Sequence, residues 1–259
     1  MTELKDRVAL VTGAGRGIGR AISIALARAG ASVVVAARSE DELSEAVKTI
    51  SSAGGKAAAV SVDLSHRQQT FDFPSRAIEP YGAIDILVNN AGVGSSTDPR
   101  PLADFNDEFW DRTLAVNLTA PYMLSRAVLP HMLSQQWGRI ITVASINSRR
   151  GSVHGCAYAA SKHGVLGLMR SLALEVSSCG ITVNCICPGP VATRMNDLRI
   201  RYDADRLGRD LKEHEQDLTL VGGRAAPEDI APMAVYLAGD QARMITGQAY
   251  NICGGINMA

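Results

Sequence analysis

The sequence predicts an α/β fold built on a parallel, doubly wound sheet, and three observations predict it. Short apolar, β-branched runs alternate with segments of helical length, the pattern that right-handed strand-helix-strand crossovers require. Glycine or proline closes most of these runs. The residues with chemical character, the glycines of residues 13–19, Asn90, Ser145 and Pro188, all fall at the carboxyl ends of predicted strands, the edge where an open parallel sheet binds its ligands. The 259 residues suit one large domain, and no linker, repeat or low-complexity tract divides them.

In chain order, residues 7–12 form the first strand and run into the glycine-rich turn 13–19, after which residues 21–30 read as a helix with a glycine stop. Residues 32–36 form a buried second strand, 41–52 a helix, and 56–62 the third strand. A partly helical connection leads to the fourth strand at 84–88, which enters Asn89-Asn90-Ala91-Gly92. The segment 94–101, rich in Ser, Asp and Pro, is loop. A long helical region then spans about 104–135 and contains Asn117, with a kink expected at Pro121 because proline cannot donate to the helix ladder. Residues 138–144 form the fifth strand, 157–178 a helix and 181–187 the sixth strand, stopped by Pro188-Gly189-Pro190. Residues 195–224 carry mixed charge and weak hydrophobic periodicity, which marks about 192–224 as a substrate lid. A short helix at 227–238 and a last strand at 248–252 complete the chain.

Composition narrows the function. Lys+Arg and Asp+Glu are both 26, so no net field draws the chain to nucleic acid or to an anionic membrane. The apolar run behind the charged N-terminus is too short for a signal-peptide core, and no later run has the length of a membrane span, so a cytoplasmic protein is expected. The five cysteines are odd in number and lack C-x-x-C spacing, which points to reduced buried thiols rather than disulfides or a metal site.

Two motifs carry chemistry. A strand, glycine turn and helix at 7–30 bring backbone N–H groups and the positive end of a helix dipole close to a phosphate. Tyr158 and Lys162 stand four apart, on one face of a helix, so that an ammonium lies beside a phenol. A fixed cation there favours the phenolate and lowers the tyrosine pKa, which describes a tuned acid/base.

Taken together, Thr12-Gly13-xxx-Gly17-x-Gly19, Asn89-Asn90-Ala91-Gly92, Asn117, Ser145, Tyr158-xxx-Lys162 and Pro188-Gly189 resemble the short-chain dehydrogenase/reductase family, in order and across nearly the whole chain. The resemblance implies a single Rossmann-type, three-layer sandwich with a seven-stranded parallel sheet, and a homotetramer. It implies that Tyr158 is the general acid or base, that Lys162 lowers its pKa and binds the nicotinamide ribose, that Ser145 stabilises the substrate oxygen, and that Asn117 holds a water in a proton relay. Cofactor contacts are implied for Gly13, Arg16, Gly17, Ile18, Gly19, Arg38, Asp63, Leu64, Asn90, Ala91, Gly92, Tyr158, Lys162, Pro188, Gly189, Val191 and Thr193. Asn90 has a second reading as a purely structural turn residue.

No acid stands at the end of the second strand, where one would select NAD by binding the adenosine ribose. Arg38 there, with Arg16 in the glycine turn, suits a 2′-phosphate, so NADP(H) is expected in preference to NAD(H). Substrate contacts are expected from Ser145, Asn147, His154 and Tyr158, with Arg149, Arg150 and His154 offering polar groups to a substrate, or else forming a solvated loop beside a neutral pocket. A reductase of acyl-carrier-protein-bound ketoacyl groups should carry basic residues before the fifth and sixth strands, and this chain has Gln135-Gln136-Trp137 and Ser178-Cys179 there. The expected substrate is therefore a free small ketone or secondary alcohol; an NAD-dependent alcohol dehydrogenase and a 3-oxoacyl reductase are the alternatives. A non-catalytic dinucleotide sensor is disfavoured because the catalytic set is intact.

Overall fold

Period-two alternation along the central strands sends successive side chains to opposite faces of one sheet, and two apolar cores result. The computed structural model describes residues 4–258. Its seven strands are β1 (Val8–Thr12), β2 (Ser32–Ala37), β3 (Lys56–Ser61), β4 (Ile86–Asn89), β5 (Gly138–Val143), β6 (Ile181–Pro188) and β7 (Ala249–Ile252). They are ordered β3-β2-β1-β4-β5-β6-β7, and every pairing is parallel.

The helices are α1 (Gly17–Arg28), α2 (Glu40–Ser52), α3 (Arg67–Ile78), α4 (Asp107–Leu114), α5 (Ala120–Gln135), α6 (Cys156–Val176), α7 (Arg194–Leu207), α8 (Leu211–Gln216) and α9 (Pro227–Ala238). Leu10 and Val34 enter one core with Phe73 of α3, Leu124 of α5 and Val165 of α6. Ala9, Val11 and Val33 enter the other with Ile22 of α1, Leu43 of α2 and Ile230 of α9. The three-layer sandwich expected from the sequence is thus realised, and each buried Leu, Ile or Phe contributes roughly 1.5–3 kcal/mol of burial energy.

Strand order reverses between β1 and β4, since the chain first builds outward to β3 and then returns. A crevice opens at such a switch point along the carboxyl edge, and that edge carries the glycine turn, residues 90–92, Ser145 and Pro188.

Two elements differ from expectation. The long helix is interrupted before Pro121: α4 ends at Leu114, a wide π turn covers Ala115–Thr119, and α5 begins at Ala120 with the proline in its first turn. Pro121 has no N–H for the carbonyl of Asn117 four residues earlier, so the ladder opens ahead of the proline rather than at it. The 195–224 segment is helical in two pieces, α7 and α8. Thr193 caps α7 by accepting from Asn196 N, and Asp210 caps α8 by accepting from Lys212 N and Glu213 N. No described helix is long and apolar enough to cross a membrane.

Candidate active site

The glycine turn is built for close approach. Gly13 and Gly17 adopt φ of 64° and 54°, a region that disfavours side chains. A Cβ on Gly19 would stand 2.3 Å from the Gly13 carbonyl, so this helix turn packs directly on the loop before it. Arg16 at the N-cap of α1 makes no side-chain cap bond, which leaves the first N–H groups directed into the turn. These are the features of a phosphate cradle, and a dinucleotide pyrophosphate fits it. Asn90 proves to be a brace: its amide donates to the Thr12 carbonyl at 2.9 Å and the Gly13 carbonyl at 3.2 Å. Thr12 Oγ1 accepts from the backbone of Asn90 and of Ala91, tying β1 to the end of β4.

At the outer end of the crevice, Ser39 caps α2 and Arg16 pairs with Glu42 at 2.9 Å. Arg38 lies 4.0 Å from Asp63. Partial burial works against the Asp63 carboxylate, but hydrogen bonds from Ser65 and the charges of Arg38 and His66 outweigh it and lower its pKa. Leu64 is buried beside this pair, and Ile18 packs against the core of α1.

Ser145 follows β5 and is 7% exposed; its Oγ accepts from Asn147 N at 3.1 Å. Tyr158 sits in the first turn of α6 and Lys162 one turn later. The lysine is buried, its Nζ donates to the Val143 carbonyl at 2.8 Å, and it lies 5.7 Å from the centre of the Tyr158 ring. The expected lowering of the phenol pKa is not what this geometry gives. Burial raises the Tyr158 pKa, Ser145 pulls it back, and the Cys187 thiol adds to the rise. Burial likewise brings the Lys162 ammonium down to about 8. One of the three N–H bonds of the Lys162 ammonium goes to the Val143 carbonyl, and at 5.7 Å from the ring centre the cation does not offset the burial of the phenol.

Asn117 is 1% exposed and fully engaged as a clamp: its Oδ1 accepts from Val93 N at 2.8 Å, and its Nδ2 donates to the Val93 carbonyl and to Ser161 Oγ, both at 3.0 Å. Ser161 in turn donates to the Tyr158 carbonyl. A Cβ on Gly92 would come within 3.5 Å of Asn117 Oδ1 and 3.9 Å of Lys162 Nζ, which brings the post-β4 loop, the π turn and α6 together.

Pro188 ends β6 in the buried layer, and a Cβ on Gly189 would stand 2.8 Å from the Cys253 Cα, so the glycine lets the two segments pack closely. Val191 bridges to Ala225, while Thr193 approaches Gly17, so the segment leading into α7 meets the glycine turn. Cys185 and Cys187 are buried free thiols; burial lifts Cys185 to about 12 and raises Cys187 as well. No group of His, Cys, Asp and Glu suited to a metal occurs among the described residues.

On the substrate side, Ser96 Oγ donates to the Met195 carbonyl, His154 Nδ1 hydrogen-bonds the Tyr202 hydroxyl, and Arg199 bridges several segments. His154 thus reaches α7, while Arg149 donates to the Ala249 carbonyl on β7. Asn147 enters through its backbone bond to Ser145. Ser95, Arg199, Tyr202 and Ser161 carry no motif that marks them in the sequence. An Arg199/Asp203 pair at i, i+4 was the available signal.

Fold and site define a doubly wound dinucleotide-binding protein with a serine, a tyrosine and a lysine at the switch point. Residues 7–202 match the short chain dehydrogenase family, and the chain belongs to it. A Streptomyces virginiae protein bearing the name of a ketoacyl reductase of the monensin polyketide synthase is 40% identical over 99% of both chains. The D-beta-hydroxybutyrate dehydrogenase of Cupriavidus necator is 34% identical, over 97% of this chain and 98% of its own. Among solved structures, a single-site variant of the actinorhodin polyketide ketoreductase with NADPH is 36% identical with a TM-score of 0.90, covering 96% of this chain and 97% of that one.

Proposed function

We propose that the protein is an NADP(H)-dependent oxidoreductase that interconverts a ketone and a secondary alcohol, with Tyr158 as general acid/base. The observation that carries this reading is the junction of the Ser145-Tyr158-Lys162 set, with Ser145 and Lys162 buried and Tyr158 half-buried between them, with a glycine cradle along one sheet edge. The nicotinamide, when bound, supplies or accepts the hydride. Every other task falls to the chain. Because burial raises its pKa, the Tyr158 phenol holds its proton at neutral pH, ready to give it to a carbonyl oxygen as that oxygen gains charge. Ser145 Oγ accepts from Asn147 N and hydrogen-bonds Tyr158, so serine and tyrosine face one point at which both hydroxyls would donate to the same oxygen. Lys162 presents a cation beside the phenol and toward the ribose, and Asn117 fixes the loop at Val93 against α6.

Residues 13–19 would hold the pyrophosphate, Asp63 and Leu64 the adenine, Ala91 and Gly92 the ribose side, and Pro188, Gly189, Val191 and Thr193 the nicotinamide. The exposed guanidinium of Arg38, opposite Asp63 at 4.0 Å, and that of Arg16 are the phosphate-selecting groups. Exposed pairs of this kind hold only about 0–1 kcal/mol, so a 2′-phosphate readily takes the guanidinium groups over. Residues 192–224 act as the lid, and a homotetramer in the cytoplasm is the expected assembly and place.

A second reading, reduction of a ketoacyl thioester, is favoured by the ketoacyl reductase names of the relatives. The deciding experiment follows NADPH and NADH absorbance against ketones and ketoesters with wild type and Tyr158→Phe. The variant should lose on the order of a thousandfold in kcat. Equal turnover by the two proteins would end the mechanism, and a strong NADH preference would end the cofactor assignment.

A further inference from the structure

The guanidinium of Arg199 on α7 is almost fully committed. Its Nε donates to Asp203 Oδ2 at 2.6 Å and its Nη2 to Asp203 Oδ1 at 2.9 Å, a side-on fork of the kind that also recognises free carboxylates. Its other bonds go to Ser95 Oγ at 3.2 Å, in the loop after β4, and to the Val153 carbonyl at 3.0 Å, between Ser145 and Tyr158. The pair therefore borders the substrate mouth from the lid side, next to Tyr202 with its bond to His154. Side-chain exposures of 18% and 20% remove it from the weakly held surface class. Arg206 stands 3.4 Å from the same carboxylate.

An unmasked arginine at this point would anchor the carboxylate of a keto acid or hydroxy acid. Asp203 already fills that fork. We propose that Asp203 and Arg199 together determine the substrate class: the lid pair closes the one guanidinium that joins lid and mouth, so the enzyme takes ketones carried on esters or thioesters and discriminates against free keto carboxylates. This rests on the carbonyl-reductase reading above and sharpens it.

The test compares ethyl acetoacetate with acetoacetate as substrates for NADPH oxidation, in wild type, Asp203→Asn and Asp203→Asn/Arg199→Gln. Wild type is expected to favour the ester by tenfold or more in kcat/KM. Asp203→Asn should move the acid-to-ester ratio about tenfold toward the acid, chiefly through the KM of the acid, and Arg199→Gln in the same chain should cancel the gain. The wild-type ratio needs no variant to fold. Equal use of acid and ester by wild type, or an unchanged ratio in active Asp203→Asn enzyme, overturns the proposal while leaving the carbonyl-reductase reading in place. If wild type oxidises NADPH with neither compound nor with an uncharged cyclic ketone, that broader reading falls and the inference falls with it.

Discussion

The two ends of the sheet treat buried cations in opposite ways. At the amino end, Arg139 is 2% exposed, yet it donates to the Gly138 and Gly180 carbonyls and to Asp240. Its guanidinium lies 4.3 Å from the Trp137 ring centre, and Arg7 approaches the same ring at 3.6 Å. Asp85 completes the set by accepting from Val8 N and standing near Arg7 and His131. At the carboxyl end, Lys162 is as deeply placed, donates to one carbonyl, and among the described residues has no ion pair. Burial works against the charge of both cations, but the Asp240 carboxylate offsets part of that cost for Arg139, whereas Lys162 has no such partner among the described residues.

That contrast can be broken from either side. The largest effect is expected from Gly19→Ala at the carboxyl end, where the new Cβ would meet the Gly13 carbonyl at 2.3 Å and the Asn90 amide at 2.4 Å. The turn must move: about 2–3 kcal/mol of stability is lost, and NADPH affinity, read by fluorescence titration, falls on the order of a hundredfold. Retained affinity would remove the cradle from the site. Arg139→Met at the amino end should cost roughly 2–4 kcal/mol in denaturant unfolding through lost packing and hydrogen bonds. Its kcat at 25 °C should stay within about twofold of wild type, since no reacting group is touched.

How much of this was legible in the sequence follows the same physics. The succession of strands and helices and the glycine, serine, tyrosine and lysine positions were readable because apolar period and motif spacing are local signals, whereas the order of the strands in the sheet came from the structure. Helix α7 was hidden because it buries little beyond Ile200 and Ala204; its helicity comes from the Thr193 cap and the Arg199-Asp203 pair, which hydrophobic periodicity does not register. The break at residues 115–119 was displaced from the proline that causes it. Spacing put Lys162 beside Tyr158 correctly but was silent on desolvation, which reverses the expected pKa shift of the phenol. The sequence left Arg149 open between a substrate group and a solvated loop, because its partner, the Ala249 carbonyl, lies 100 residues away in the chain.

The most direct measurement is the unfolding free energy of Lys162→Met against wild type as a function of pH. Lys162 has a folded pKa of about 8 against an ordinary value of 10.5, so the unfolded chain holds its proton more tightly. Wild type bears that cost in full below pH 8 and sheds it as pH rises from 8 to 10.5. The variant should therefore be inactive yet more stable at pH 7, by up to about 3 kcal/mol, with the advantage vanishing by about pH 10.5. A variant that is less stable at pH 7, or whose difference from wild type does not change with pH, would contradict the account.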